Sequence, residues 1–158
     1  MADRIKFMAM TILDIPSPVG ALRLHSDGDA ITRLEWISRA KETQTKNRVL
    51  TRAAKELDEY FKRQRRRFTV PLAPQGTEFQ QRVWSALLRI PHGETRSYGQ
   101  LAELIGTGPR SLAGGCARNP IPILIPCHRV VGANGALGGY SGGKGIETKQ
   151  QLLDLEAP

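Results

Sequence analysis

Residues 97–120 read Ser97-Tyr98-Gly99-Gln100-Leu101-Ala102-Glu103-Leu104-Ile105-Gly106-Thr107-Gly108-Pro109-Arg110-Ser111-Leu112-Ala113-Gly114-Gly115-Cys116-Ala117-Arg118-Asn119-Pro120. Ser97 and Gln100 have the spacing of a capping box, in which each side chain satisfies the other residue's backbone N–H. The box opens a short helix with Tyr98, Leu101, Leu104 and Ile105 as its apolar face. Gly106-Thr107-Gly108 turns the chain. Pro109 suits a first helical position and starts a second helix that ends by Asn119-Pro120. Two short helices on a glycine turn are the sequence form of a helix-turn-helix.

The second helix is poor in side chains. Arg110, Ala113, Gly114 and Ala117 share one face, and Leu112, Cys116 and Asn119 share the other. Gly114 and Gly115 each cost about 1 kcal/mol of helix propensity against alanine. Such a face has two readings. It lets the backbone approach a narrow partner, such as a DNA minor groove about 6 Å wide. Equally, it lets a neighbouring helix pack closely. Cys116 falls on the Leu112 side and reads as a small core residue.

Downstream lies Ile125-Pro126-Cys127-His128-Arg129-Val130-Val131. Prolines 120, 122 and 126 frame Ile123-Leu124-Ile125, a rigid, buried, extended approach to Cys127. A cysteine that does chemistry must be partly thiolate. The free thiol pKa is about 8.5, so a base or a positive environment has to assist. His128 and Arg129 are candidates for those roles; a core thiol beside a surface His-Arg pair is the plain alternative. Residues 132–145 form a loop with seven glycines, long enough to be functional or disordered. Tyr140-Ser141-Gly142-Gly143 would bring backbone amides and a ring near whatever Cys127 attacks. A last helix runs from about Glu147 to Leu155.

Upstream, Thr77-Glu78-Phe79-Gln80 fits a second capping box, and Phe79, Val83, Ala86, Leu87 and Ile90 continue its helical stripe as far as Pro91-His92-Gly93. Thr69 to Gly76 reads as a linker. Residues 8–37 read as short strands with turns at Val19-Gly20 and Asp27-Gly28-Asp29, and Ala21–Ser26 with Ala30–Trp36 makes a hairpin. Arg39 to Lys46 is polar loop. From Asn47, Leu50, Ala53, Ala54, Leu57 and Phe61 mark a helix that runs into Lys62-Arg63-Gln64-Arg65-Arg66-Arg67. That cluster either grips phosphate or is a solvated helix end suited to the negative C-terminal dipole. The fold class is α/β in the α+β sense. The domains are 1–75, a sheet and helix with linker, and 76–158, mainly helical.

The chain has 158 residues, 40% of them apolar, and a net charge of +8 with a pI near 10. The charge favours a polyanionic partner, nucleic acid first. No apolar run approaches the roughly 20 residues that span a bilayer, and Met1 to Met10 lacks a signal peptide's apolar core. Two cysteines without a secretory signal point to a reducing compartment. His25, His92 and His128 are far apart, and no Cys-x-x-Cys or His-x-x-x-His pair exists, so no zinc site is expected. His25 and His92 read as turn residues without chemistry.

Together these residues resemble the O6-alkylguanine-DNA alkyltransferases, self-inactivating direct-repair proteins. The carrying motifs are Pro126-Cys127-His128-Arg129-Val130, Asn119-Pro120, Arg110 opening the second helix, Ser97-Tyr98-Gly99-Gln100-Leu101-Ala102, Gly138-Gly139-Tyr140-Ser141-Gly142-Gly143, and Gly76-Thr77-Glu78-Phe79-Gln80-Gln81-Arg82-Val83-Trp84. The match is strong over about residues 76–156 and looser before them. It implies an N-terminal ribonuclease-H-like unit and a C-terminal winged helix-turn-helix-like unit.

The resemblance also implies roles. Cys127 would take the alkyl group from guanine O6 and keep it as a thioether. His128 would act as base through a water, oriented by Glu156 as a triad's third member is. Tyr98 would donate to the guanine ring as the leaving group gains charge. Arg110 would hold the gap while the nucleotide is flipped out. Ser97, Tyr98, Ser111, Ala113, Gly114, Ala117 and Arg118 would complete the DNA contacts. Asn119 would tie the recognition helix to the active-site segment. Ser141 through its amide and Val130 through its carbonyl would read the base, and Pro122 with Tyr140 would wall the alkyl pocket. The expected partner is double-stranded DNA containing O6-alkylguanine (O4-alkylthymine being a further substrate to test). No cofactor, metal or membrane is expected, and the protein would act as a monomer in the cytoplasm, or the nucleus of a eukaryote. The run from Gly143 to Leu152 is about two residues longer than the family's usual length, which makes Glu147 a rival to Glu156. Ser111 and Ala113 depart from the commoner Arg-Ala-Val-Gly pattern. Two other classes stand beside this one: a non-catalytic lesion sensor, which would lack the acceptor cysteine, and a thiol hydrolase.

Overall fold

The computed structural model describes residues 11–41 and 44–158. The readings that touch residues 1–10 and 42–43 lie outside them. The chain divides into two compact units, Met1–Pro74 and Gln75–Pro158. Among the described residues no helix is long and apolar enough to cross a membrane.

In the first unit β1 (Thr11–Ile15), β2 (Ala21–Ser26) and β3 (Ile31–Ile37) form an antiparallel meander. Leu22, Leu24 and Ser26 are buried at every second position of β2, the period of a strand with one covered face. The first turn closes where Gly20 takes φ 115°, open to glycine. In the second, Asp27 Oδ1 accepts from the amides of Asp29 and Ala30 at 2.9 Å each. Helix α1 (Arg48–Phe61) packs on the strands, capped by Asn47, whose Oδ1 accepts from Leu50 N.

The buried face of α1 differs from the expected stripe. It consists of Leu50, Ala53, Glu56, Leu57 and Tyr60, while Ala54 and Phe61 are half-buried. The rotation follows from Glu56, a buried carboxylate that the returning chain needs. Its oxygens accept from Thr69 N at 2.8 Å, Thr69 Oγ1 at 2.6 Å and Val70 N at 3.1 Å. Burial pushes this carboxyl's pKa up, but those bonds and Arg65 outweigh it and leave it below the usual range. Residues 69–73 are therefore not a free linker. Ile31 N donates to Pro71 O and Ala73 N to Ile31 O, a parallel bridge beside β3.

In the second unit α2 (Glu78–Leu88) and α3 (Tyr98–Ile105) both open on complete capping boxes, Thr77 with Gln80 and Ser97 with Gln100. Helix α4 (Pro109–Ala117) has proline in its first turn. Trp84 Nε1 donates to Gly115 O at 3.0 Å, and a Cβ on Gly115 would lie 2.8 Å from Val83 Cγ2. Close helix packing thus accounts for Gly115. Gly114 has open space within 4 Å of where a Cβ would be. Leu104 is not on the apolar face expected for α3: it is 68% exposed, because the short helix buries only Leu101 and Ala102.

The approach to Cys127 is a folded turn, not an extended run. Prolines 120, 122 and 126 have no N–H, so the remaining donors bond locally. Ile121 N donates to Asn119 Oδ1, Ile125 N to Ile121 O and Cys127 N to Ile125 O. Ile123 takes φ 72°, strained for a β-branched residue and held by the burial of Ile121, Ile123, Leu124 and Ile125. Cys127–Arg129 form one 3-10 turn leading into β5 (Val130–Val131). β5 pairs in parallel with β4 (Arg96–Ser97), which fixes the start of α3 beside the Cys127 segment. Helix α5 (Ile146–Glu156) closes the unit with Thr148, Lys149, Leu152 and Glu156 buried.

Candidate functional site

Cys127 opens on a cavity of about 350 Å³, in the range of small-ligand sites. Three elements build the walls: Tyr98 from α3, Ala113, Cys116 and Ala117 from α4, and Gly139, Tyr140 and Ser141 from the loop. Cys116 is buried as expected of a core residue, yet it also borders this cavity. Burial holds its thiol pKa up at about 12, so it stays protonated. Pro122 is not among the lining residues; it lies in the turn before Cys127, bridged to Ile125.

Burial also raises the Cys127 thiol. Three features oppose it: a hydrogen bond from Asn119, the charge of Lys149 and the residue's own amide. Asn119 is itself fixed, donating from Nδ2 to Ile125 O at 2.8 Å and accepting from Ile121 N at 2.9 Å. It joins the end of α4 to the turn that carries Cys127.

His128 is fully buried behind the cysteine. Its Nε2 lies 2.7 Å from Glu156 Oε2, whereas Glu147 is exposed. Burial lowers the imidazole pKa, with Arg129 and Lys149 adding to the effect and Glu156 opposing it. The ring is therefore neutral at pH 7. Donation to Glu156 places the proton on Nε2 and leaves Nδ1 as acceptor. Among the described residues Nδ1 has no protein hydrogen-bond partner, an uncommon state for a buried polar atom.

Arg129 is not the positive neighbour of the thiol. Its guanidinium holds Glu156 through Nε to Oε1 at 2.7 Å and Nη2 to Oε2 at 3.0 Å, and donates to Ile90 O at 2.7 Å. Burial pushes the Glu156 carboxyl up, but His128 and Arg129 together hold it far below the carboxylate range.

The cation that acts on Cys127 is Lys149, which the sequence reading missed. It has no exposed surface, and its Nζ donates to Val130 O at 2.7 Å and Gly139 O at 3.3 Å and lies 3.4 Å from Tyr98 Oη. Burial lowers its pKa and the two cysteines oppose that. A lysine in a helix otherwise rich in polar residues looks solvated in sequence; the one available signal was its place on the same side of α5 as Leu152 and Glu156. The Val130 carbonyl, expected to read the base, thus already serves Lys149, with one lone pair remaining. Tyr98 is half-buried, and burial raises its phenol, keeping the proton it would donate. Tyr140 is raised further by burial.

The sequence pattern of the 6-O-methylguanine DNA methyltransferase DNA binding domain matches residues 78–158, and that of the same family's ribonuclease-like domain matches residues 12–74. The chain belongs to the 6-O-methylguanine DNA methyltransferase family. It is 46% identical over 147 residues to a methylated-DNA--protein-cysteine methyltransferase of Mycobacterium leprae, covering 89% of this chain and 88% of that one. A protein of the same name from Methanosarcina acetivorans is 42% identical over 148 residues, covering 89% and 94%. Among solved structures, Mycobacterium tuberculosis OGT in complex with DNA superposes with a TM-score of 0.82 at 44% identity, covering 93% of this chain and 94% of that one.

In this methyltransferase family member the second helix presents a bare outer face. Arg110, Ser111, Gly114, Ala117 and Arg118 are exposed and Ala113 is half-buried, while Leu112, Gly115 and Cys116 point inward. Ser97 already caps α3, its Oγ accepting from Gln100 N at 3.0 Å. Ser141 is exposed at the cavity wall. Among the described residues no group of His, Cys, Asp or Glu is placed to hold a metal ion.

Proposed function

We propose that the protein repairs DNA directly, moving an alkyl group from guanine O6 to Cys127 once per molecule. The observation that carries this is a cysteine opening on a base-sized cavity with a neutral, carboxylate-anchored histidine behind it. The Cys127 proton passes through a water to His128 Nδ1, the acceptor left by the bond to Glu156. The thiolate pair then forms a bond to the alkyl carbon. The carbon–oxygen bond breaks, its electrons stay on guanine O6, the ring takes up a proton from water, and His128 returns to water the proton it took, so protons balance. Tyr98 donates to the ring as that charge develops, a stabilisation of the oxyanion-hole type. Lys149 favours the thiolate by its charge and holds the Val130 and Gly139 carbonyls in place. A thioether has no ready leaving reaction, so the protein is consumed.

Duplex DNA bearing O6-alkylguanine is the partner. Arg110 fills the stack when the damaged nucleotide turns into the cavity. Ser111, Ala113, Gly114, Ala117 and Arg118 lie along the groove, with Ser97 and Tyr98 at the start of α3. Val130 and Ser141 contact the base edge, Tyr140 closes on the alkyl group, and Asn119 positions the acceptor turn. The protein acts as a monomer where genomic DNA lies, the cytoplasm or a eukaryote's nucleus.

Peptide mass spectrometry after incubation with methylated duplex tests the reading. One methyl group on Cys127 per protein is expected, and Cys127→Ser should bind the duplex without transfer. An unmodified Cys127, or product exceeding the protein added, would overturn it.

A further inference from the structure

The positive charge of this chain is not concentrated where the recognition helix lies. Residues 1–74 hold 15 of the 23 Lys and Arg and 9 of the 15 Asp and Glu, a net +6; residues 75–158 hold the other 8 and 6, a net +2. The first unit therefore carries most of the excess.

The fold gathers part of it on one face. Arg48, Arg52 and Lys55 occupy positions i, i+4 and i+7 of α1, all exposed, so they form one stripe. The helix stops at Phe61, and Arg63 takes φ 60°, which turns the chain back. Glu56 then pins the returning segment through Thr69 and Val70, and Arg52 Nη2 donates to Thr69 O at 2.9 Å. Arg65 lies 3.8 Å from Glu56 and 3.1 Å from Glu59, and its Nη1 donates to Arg67 O. The basic run thus folds along the helix instead of trailing into solvent. The nearest acids are occupied by Arg52 and Arg65, while Arg66 and Arg67 remain exposed.

We propose that Arg48, Lys55, Arg66 and Arg67 form a second phosphate-contacting face for duplex DNA, carried by residues 1–74 and distinct from the recognition helix. The inference rests on the DNA reading above. Arginine's planar fork suits phosphate oxygens, and the density of duplex charge, one per about 1.7 Å of axis, rewards a row of cations. An anionic membrane fits less well. Its surface calls for bulky apolar residues beside the cations, and the exposed residues of this stripe are Arg48, Thr51, Arg52 and Lys55.

The test measures affinity for an undamaged duplex against salt concentration. Arg66→Ala/Arg67→Ala is expected to lower the slope of log affinity on log salt by about two, at roughly 0.9 per lost phosphate contact. Arg48→Gln/Lys55→Gln should do the same from the helix side, and Arg66→Lys/Arg67→Lys should keep the slope. Arg33→Ala/Lys41→Ala removes the same charge elsewhere in the unit and should leave the slope unchanged. Transfer from free O6-benzylguanine should be unaffected in every variant. The inference fails if the patch variants keep the wild-type slope, if the control lowers it equally, or if wild-type protein prefers phosphatidylserine vesicles to duplex. A wild-type protein with no salt-dependent duplex binding would overturn the DNA reading as well.

Discussion

Glu156 Oε2 sits 2.7 Å from His128 Nε2 with both side chains buried, and it links the last helix of the chain to the Cys127–Arg129 turn. The same carboxylate takes two bonds from Arg129. It therefore orients the His128 ring and neutralises a buried guanidinium at once.

Glu156→Leu should destabilise the second unit by about 3–5 kcal/mol, because Arg129 is left as an uncompensated buried charge. Urea unfolding measures this. Glu156→Gln keeps the shape, and it should slow alkyl transfer more than it weakens duplex binding. Equal losses in both would show that the carboxylate acts only on the fold.

Lys149→Met keeps the stem and removes the cation whose charge lowers the Cys127 pKa. The rate of Cys127 labelling by iodoacetamide, followed against pH, should move to higher pH. A one-unit rise would leave about tenfold less thiolate at neutral pH. An unmoved profile would assign Lys149 to holding the Val130 and Gly139 carbonyls alone.

The two adjacent glycines of α4 should part company. Gly115→Ala meets Val83 and should cost about 1–3 kcal/mol by overpacking. Gly114→Ala has open space and should gain up to about 1 kcal/mol of helix propensity, while weakening duplex binding if the backbone lies in the groove. Thermal melts and binding assays on the pair check both directions.

Stability should fall with acid in two stages. His128 has a lowered folded pKa, so the unfolded chain binds the extra proton first; the loss begins below about pH 6.5 with a slope approaching 1.4 kcal/mol per pH unit. Glu56 and Glu156 also have lowered folded pKa values. Their contribution is complete above the unfolded carboxylate range, near 4.3, and is lost as pH drops through the folded values. Denaturant titrations across pH should show the upper stage vanish in His128→Asn and the lower stage shrink in Glu56→Gln.

What was legible in the sequence is local. Both capping boxes form where Thr77-x-x-Gln80 and Ser97-x-x-Gln100 stand, since each closes within one turn. Proline and glycine mark the start of α4 and the end of α3 for the same reason. Burial of charge was not legible. Glu56, Lys149, Arg129 and Glu156 look like solvated residues by type, and their partners lie far along the chain or on backbone carbonyls. The returning segment at residues 69–73 read as a linker because its partners, Glu56 and Ile31, are remote.

The sequence by itself determined the helices, their caps and the acceptor turn's candidates, because those depend on neighbours a few residues away. It also carried the motif that names the family. Only the tertiary structure decided which acid meets His128, which cation faces Cys127 and which glycine packs against α2. Those choices depend on desolvated groups finding partners across the fold, and a buried charge is stable only where the whole chain has brought its counterpart within hydrogen-bond distance.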